Sequence, residues 1–423
     1  MKGFIGELEI EAPRLAGTID AAADEEIFRR AGYQATTTAL AQRWEQADGP
    51  VIVQCTGCRQ TMKPIGARKK DVHTICGTVA IKRRKYYCGK CERTIAPLDR
   101  RLGIDETGIT PGMMRMLCRT ALELAYKKSE SLLTDILGFQ PCSAREIERI
   151  TNKHGEKLEK QISAGPAGDI TTLQNCNRGK YCLMIDAAMI PGLPDPVEHK
   201  LAWHDVKLAV GIDPTDVHLP FYVAGREDVG LFGKRLWHHL ESHGLDVANF
   251  CLISGDGAHW IWTVADLLFP KVPQLLDFYH AAEHLYATAK LIFPEAQAQK
   301  WWHTRLAQLK AGDLVHFFQA LKRLANVHPS ASPEGEDKYS PEKLLDYFVS
   351  NKSRLGYPWA MRNKLPIGTG AVESACRHIP QQRLKQSGMR WSDPGAQSIL
   401  DLRTLHRNGE FEQYWEDFAA SGF

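Results

Sequence analysis

The chain has 423 residues, 43% hydrophobic and 24% charged, a globular balance with room for two or three domains. No apolar run approaches the ~20 residues of a membrane span, and the N-terminus MKGFIGELEIEAP lacks the apolar core of a signal peptide. Eleven cysteines in such a chain argue for thiols or metal ligands rather than a disulfide frame.

The net charge of +3 is unevenly spread. Residues 1–50 carry five Lys/Arg against nine Asp/Glu and read as an acidic helical arm. Between Lys63 and Arg101 there are twelve Lys/Arg against three Asp/Glu. A basic module of that kind points to a polyanionic partner, with a solvated charged face as the alternative.

Residues 51–105 read as a β-rich module with strands near 51–53, 74–81 and 86–87. Cys55-Thr-Gly-Cys58 and Cys88-Gly-Lys-Cys91 form a doubled CxxC. Four thiolates so paired suit tetrahedral Zn²⁺ in a zinc ribbon, a module too small to build its own core. A redox CxxC expects a single motif, and His73 and Cys76 stand inside the loop as alternative ligands. The run Lys82-Arg83-Arg84-Lys85 beside the second knuckle is a candidate phosphate contact.

Residues 106–162 read as three helices. Thr110-Pro111 starts the first, Gly138 stops the second, and Ser143-Ala-Arg-Glu146 is a capping box for the third. That third helix offers Arg145, Arg149 and Lys153, which fits a helix-turn-helix reader of double-stranded DNA. A three-helix bundle used for packing or dimerisation is the alternative. Residues 163–174, with Ser163-Ala-Gly-Pro-Ala-Gly168, form the linker.

From 175 to 423 strands and helices alternate. Strands are expected at 180–186, 205–213, 218–224, 249–255 and 274–279, and helices near 230–243 and 259–268. An all-helical insertion follows at about 283–365, with Trp301-Trp302 and Phe317-Phe318 in its core. Asp186 ends one apolar run, Asp256 follows another in Gly255-Asp-Gly257, and Glu373 follows Gly368-Thr-Gly370. Carboxylates at buried strand ends are costly unless solvated, paired or metal-bound, and they are natural ligands for Mg²⁺.

This succession resembles DDE transposases, which have a ribonuclease H-like fold. The runs Gly368-Thr-Gly-Ala-Val-Glu-Ser-Ala-Cys-Arg377, Gln382-Arg-Leu-Lys-Gln-Ser-Gly-Met-Arg-Trp391 and Gly395-Ala-Gln-Ser-Ile-Leu-Asp-Leu-Arg403 resemble the Kra-type insertion-sequence family. So do Arg84-Lys-Tyr-Tyr-Cys88 and Ala96-Pro-Leu-Asp99. The resemblance implies an α/β catalytic domain with a mixed sheet, and catalysis by Asp186, Asp256 and Glu373 on two Mg²⁺ ions, for which Mn²⁺ can substitute. It also implies element ends and target DNA as partners, a homo-oligomer on DNA, and a cytoplasmic, nucleoid-associated location. Asp277-Phe-Tyr-His280 resembles the family's acidic-x-x-His motif and makes His280 a further candidate. Arg383, Lys385 and Arg390 are candidate DNA contacts. Pro380 interrupts the helix expected after Glu373 and predicts a kink.

Two other readings compete. His280-Ala-Ala-Glu283-His284 matches the HxxEH motif of inverted zinc peptidases, which needs a third downstream ligand. A catalytically inactive, transposase-derived DNA-binding protein predicts damaged carboxylates, and here all three are present. For the DDE reading the three carboxylates must converge at one side of the sheet, and without a cation they are expected to splay apart.

Overall fold

The computed structural model describes residues 21–164, 181–194, 200–329 and 339–421, so the start of the acidic arm and most of the 163–174 linker lie outside the described residues. Two compact units emerge, Met1–Lys153 with Glu410–Phe423, and His154–Gly409. The break falls inside a continuous helix.

In the first unit a long helix, α1 (Ala21–Ala47), precedes an antiparallel sheet of β1 (Lys63–Thr74), β2 (Gly77–Cys88) and β3 (Arg93–Ile95). The strands expected at 51–53 and 74–81 do not form as such. Thr74 pairs with Gly77, so that stretch is the tip of a hairpin whose first strand is the basic segment from Lys63. Alternation explains the outcome: Gly77, Val79, Ile81 and Arg83 face inward while Thr78, Ala80, Lys82 and Arg84 face water. Val72, Val79, Ile81, Leu98 and Ile104 form a small core that Leu40, Ala41 and Trp44 of α1 cover.

Then come α2 (Pro97–Arg101), α3 (Pro111–Ala121), α4 (Tyr126–Leu137) and α5 (Ala144–Ala164). Thr110 caps α3 by accepting from the Met113 amide, a bond worth about 1 kcal/mol. Half of the expected capping box at α5 is present. Ser143 Oγ accepts from the Glu146 amide at 3.3 Å, but the Glu146 carboxylate pairs with Arg149. Glu130, 9% exposed, reaches across from α4 to accept from the Ala144 amide and the Gln140 side chain, and so ties the turn together.

The second unit is built on a mixed sheet of β4 (Tyr181–Pro194), β5 (Leu201–Asp213), β6 (Asp216–Gly225), β7 (Phe250–Gly255) and β8 (Gln274–Leu276), in the order β6-β5-β4-β7-β8. β4, β5 and β6 pair antiparallel, whereas β7 runs parallel to β4 and β8 parallel to β7. Cys182–Ile185 of β4 are all buried, as a central strand covered on both faces requires. Helices α6 (Val229–Ser242) and α7 (His259–Leu268) flank β7 in sequence. The strand expected at 274–279 stops three residues early. Asp277 accepts from the His280 amide and turns Phe278-Tyr279 into the start of α8 (Phe278–Ile292).

The helical insertion contains α9 (Glu295–Ala311), α10 (Leu314–Val327), α11 (Pro341–Ser350) and α12 (Tyr357–Arg362). Of its four aromatics expected in the core, Phe317 alone is fully buried. Trp302 is half-buried and donates its indole N–H to the Ala282 carbonyl, while Trp301 lies beside the Arg305 guanidinium.

Helix α13 (Gly370–Cys376) packs on β4 and β5. It runs into a π-turn (Arg377–Gln381), then α14 (Gln382–Leu384), α15 (Asp393–Arg407) and α16 (Phe411–Ser421). Pro380 sits inside the π-turn. Proline lacks the N–H that an α-helix needs, and the wider turn absorbs the defect. The Gln382 amide reaches back to the Arg377 carbonyl, which releases that of His378. The buried Arg403 donates to the freed His378 carbonyl and to that of Ile379. The expected kink is thus a π-turn held by one guanidinium.

Candidate active site and metal centre

Strand register brings the acidic residues together. Ile185 of β4 stands opposite Gly255 of β7, and Gly255 opposite Leu276 of β8. The next residue of each strand is an aspartate, so Asp186, Asp256 and Asp277 form a row along one edge of three adjacent parallel strands. Gly257 turns the chain at once after Asp256, with φ +103°, and a side chain there would strike Tyr347. The Asp256 carboxylate accepts from the Ala258 amide at 2.9 Å, and its carbonyl from the Tyr347 hydroxyl at 2.8 Å.

Glu373 arrives at this edge on α13, exposed, in the first turn of the helix. Cys376, three residues on, lies with its Sγ 3.7 Å from Asp186 Oδ2. Burial, then the nearby charges of Asp256 and Glu373, push the Asp186 carboxyl up to about 6. Asp186, Asp256 and Glu373 therefore share one electrostatic neighbourhood. Their oxygens do not all lie within 4.8 Å of one another, a splay that mutual repulsion favours. A donor set made only of carboxylates suits a hard divalent cation such as Mg²⁺.

His280 lies beside the same edge. Its Nε2 is 3.2 Å from that of His284, whose ring stacks on Tyr347 at 4.4 Å. Tyr347 in turn holds the Asp256 carbonyl, so His280 connects to the site through two aromatic rings. The pair shares one helix face as the HxxEH reading expects, but among the described residues no third ligand group completes a metal set with it.

In the first unit the Sγ atoms of Cys55, Cys58, Cys88 and Cys91 all lie within 4.8 Å of one another. Amides of Cys58 and Gly57 donate to the Cys55 sulfur and bring its thiol down to about 6, while neighbouring sulfurs push Cys91 up to about 12. Both knuckles end on a left-handed residue, Arg59 (φ 59°) and Glu92 (φ 52°). Local strain of that kind is kept where a site demands it. The cluster fits Zn²⁺. His73 and Cys76 stand at the far tip of the hairpin and do not join it.

The basic residues divide. Lys82, Arg84 and Lys85 keep some exposure on β2, but Arg83 is buried in an ion pair with Asp99 and donates to the Arg68 carbonyl. Arg145 is exposed, whereas Arg149 pairs with Glu146 and Lys153 with Asp105. Lys385 and Arg390 are exposed, but Arg383 is fully buried over the Trp391 ring. Arg83 and Arg383 are therefore packing residues, because a guanidinium enclosed in this way cannot reach a phosphate. Sequence reasoning missed Arg377, which with His378, Gln381, Gln382 and Lys385 lines an open hollow of about 590 Å³ along the π-turn. Its position one turn beyond Glu373 was the available signal.

The second unit is thus an acidic-edged mixed sheet with a helical insertion, and the first a basic sheet holding a thiol cluster. No protein-family model matches the chain. It is similar to a UPF0236 protein in the vanSb 3′ region of Streptococcus gallolyticus, at 22% identity over 90% of this chain and 82% of the relative. Among solved structures, the Drosophila P element transposase strand transfer complex aligns at 10% identity over 73% of this chain and 81% of that one, with a TM-score of 0.23. Among the described residues no helix is long and apolar enough to cross a membrane.

Proposed function

We propose that the chain is a DNA transposase of the DDE class, with Asp186, Asp256 and Glu373 as its metal-binding catalytic carboxylates. The observation that carries this reading is the aspartate row produced by register, with the Glu373 helix packed on the same sheet. The strand order β6-β5-β4-β7-β8, with its antiparallel half and its parallel half, supports a ribonuclease H-like catalytic domain. The thiol cluster supports a zinc ribbon ahead of it, and α3–α5 a helix-turn-helix-like module.

When bound, divalent ions would activate a water or a 3′-hydroxyl and stabilise the departing oxygen. The chain's own contribution is placement. Asp186 and Asp256 are fixed by strand register, and Asp256 also by the Ala258 amide and the Tyr347 hydroxyl. Glu373 enters on a separate helix and completes the set from the third side. Arg377 and Lys385 line a path along which a phosphate backbone can be held. The substrates proposed are the ends of the mobile element and target DNA, acted on by a homo-oligomer.

DNA carrying the element's own ends, incubated with Mg²⁺, should be nicked or cut by the intact chain. Asp256→Asn and Glu373→Gln each remove one charged ligand and little volume. Both should reduce cleavage by at least about 10³-fold, on the scale of removing a group acting only in the transition state. DNA binding should be unchanged. Normal Mg²⁺-dependent cleavage by either variant refutes the triad, and an intact chain that binds ends without cutting them favours the inactive DNA-binding protein.

A further inference from the structure

Asp277 completes the row of aspartates, yet its environment differs from that of the other two. It is fully buried, and both of its oxygens are occupied by donors. Oδ1 accepts from the His280 amide at 2.6 Å and starts α8. Oδ2 accepts from both the amide and the hydroxyl of Thr369. A buried carboxylate needs such compensation, and hydrogen bonds to an ionised group are roughly twice as strong as neutral ones. Thr369 is the middle residue of Gly368-Thr-Gly370, immediately before α13. Its hydroxyl oxygen is also 3.5 Å from Glu373 Oε1.

Two further contacts close the turn onto β8. The Phe278 amide donates to the Ile367 carbonyl at 2.9 Å. A side chain at Gly368 would strike the Tyr279 ring at 2.5 Å, so only glycine lets the turn come this close. The Asp277 amide itself donates to the Gly255 carbonyl, one residue before Asp256. One buried residue therefore touches the strand end carrying Asp256 and the turn carrying Glu373, which lie 117 residues apart in sequence.

We propose that Asp277 and Thr369 form a clamp that positions Glu373 against Asp186 and Asp256 and so sets the affinity of the carboxylate site for its cations. Both are positioning residues, acting through Glu373. A cluster held by strand register on two sides needs a separate anchor for a ligand delivered on a different helix after a long insertion. The Thr369 hydroxyl has one proton. It spends that proton on Asp277, which leaves Glu373 Oε1 free to turn toward a cation. The acidic-x-x-His motif then has its acidic member as the anchor, with Oδ1 on the His280 amide. The proposal rests on the DDE reading.

The test uses the full chain and its element-end DNA, with Mn²⁺ binding followed by electron paramagnetic resonance alongside cleavage kinetics and thermal melting. Thr369→Val keeps the volume and the amide bond and deletes the hydroxyl; Thr369→Ser keeps the hydroxyl. Asp277→Asn is the second variant, keeping the helix-capping oxygen while offering Thr369 an amide. Outer-shell partners of metal ligands typically contribute about 10–100-fold to affinity or activity. Thr369→Val should weaken Mn²⁺ binding and lower kcat on that scale, with KM for DNA and the melting temperature unchanged. Thr369→Ser should recover most of both, and Asp277→Asn should lose at least as much as Thr369→Val. A folded Thr369→Val chain with unaltered Mn²⁺ affinity and kcat overturns the clamp, as do losses that merely track the folded fraction in both variants. If Glu373→Gln also leaves Mn²⁺ affinity intact, the DDE reading fails with it; if Glu373→Gln alone weakens binding, only the clamp fails.

Discussion

Arg235 shows how a single buried residue can decide the pH behaviour of a unit. Its guanidinium, 6% exposed, meets Asp401, Glu227 and Glu159, three carboxylates around one cation. Three carboxylates against one guanidinium leave two negative charges in excess, and burial pushes the Asp401 carboxyl up to about 8. The unfolded chain releases that proton near pH 4. Between about pH 4 and pH 8 the folded state therefore holds this proton where the unfolded state has released it, and the contribution of Asp401 to stability falls as pH rises through this window. Asp401→Asn keeps an acceptor for Arg235 and supplies a permanent N–H in place of the proton. Thermal melts from pH 5 to 9 should show the wild-type decline flattened in this variant. A decline of equal slope in both proteins would mean that Asp401 is not the responsible group.

At the scale of elements, the hairpin β1–β2 is long for the core beneath it. Five buried residues form that core, and beside the thiols the cysteine end has Met62 and Tyr86 with the partly buried Val53 and Ile95. For a module with so small a core, bound zinc would supply much of the folding free energy. Purified protein should carry about one Zn²⁺ per chain. Cys88→Ser should lose it and open residues 55–95 to proteolysis, as read by metal analysis and mass mapping of fragments. A metal-free chain that resists cleavage there would remove zinc from the account. The π-turn teaches a related lesson about elements, because Pro380 alone implies a break. The wider turn and Arg403 together turn that break into a continuous helical path, which carries Arg377 directly after the helix of Glu373 and ends at Leu384, just before Lys385.

At the scale of the whole molecule, the proposed function makes charge distribution the term that would govern how the chain meets DNA. Net charge is only +3, so long-range attraction must come from local basic surfaces such as the β1–β2 hairpin and the π-turn. Each phosphate contact releases counterions, so the slope of log K against log salt counts the contacts. Arg377→Ala with Lys385→Ala should weaken binding about equally on every sequence and reduce that slope by up to about 2. Arg145→Ala should discriminate between element ends and random DNA if α5 reads bases. Fluorescence anisotropy at several salt concentrations separates the two, and an unchanged slope in the double variant would take the π-turn hollow out of the DNA path.

Much of this was legible in the chain alone. Doubled CxxC motifs, apolar runs ending in Asp186 and Asp256, and a Gly-x-Gly turn before Glu373 are local patterns, and local chemistry produces them. The helices expected near 230–243 and 259–268 form at Val229–Ser242 and His259–Leu268. Long-range pairing left no such trace. The hairpin hid its first strand in a basic run, since an exposed strand half has no apolar signature. Arg83 and Arg383 read as surface charges because nothing in a sequence announces the Asp99 or the Trp391 that encloses them. Asp277 is the clearest case. As a sequence it is one member of a four-residue motif; only strand register sets it beside Asp256, and only the return of the chain 92 residues later brings Thr369 onto its carboxylate. The residue types of the candidate site were thus determined locally, whereas their convergence depended on pairing between strands and turns that sequence distance conceals.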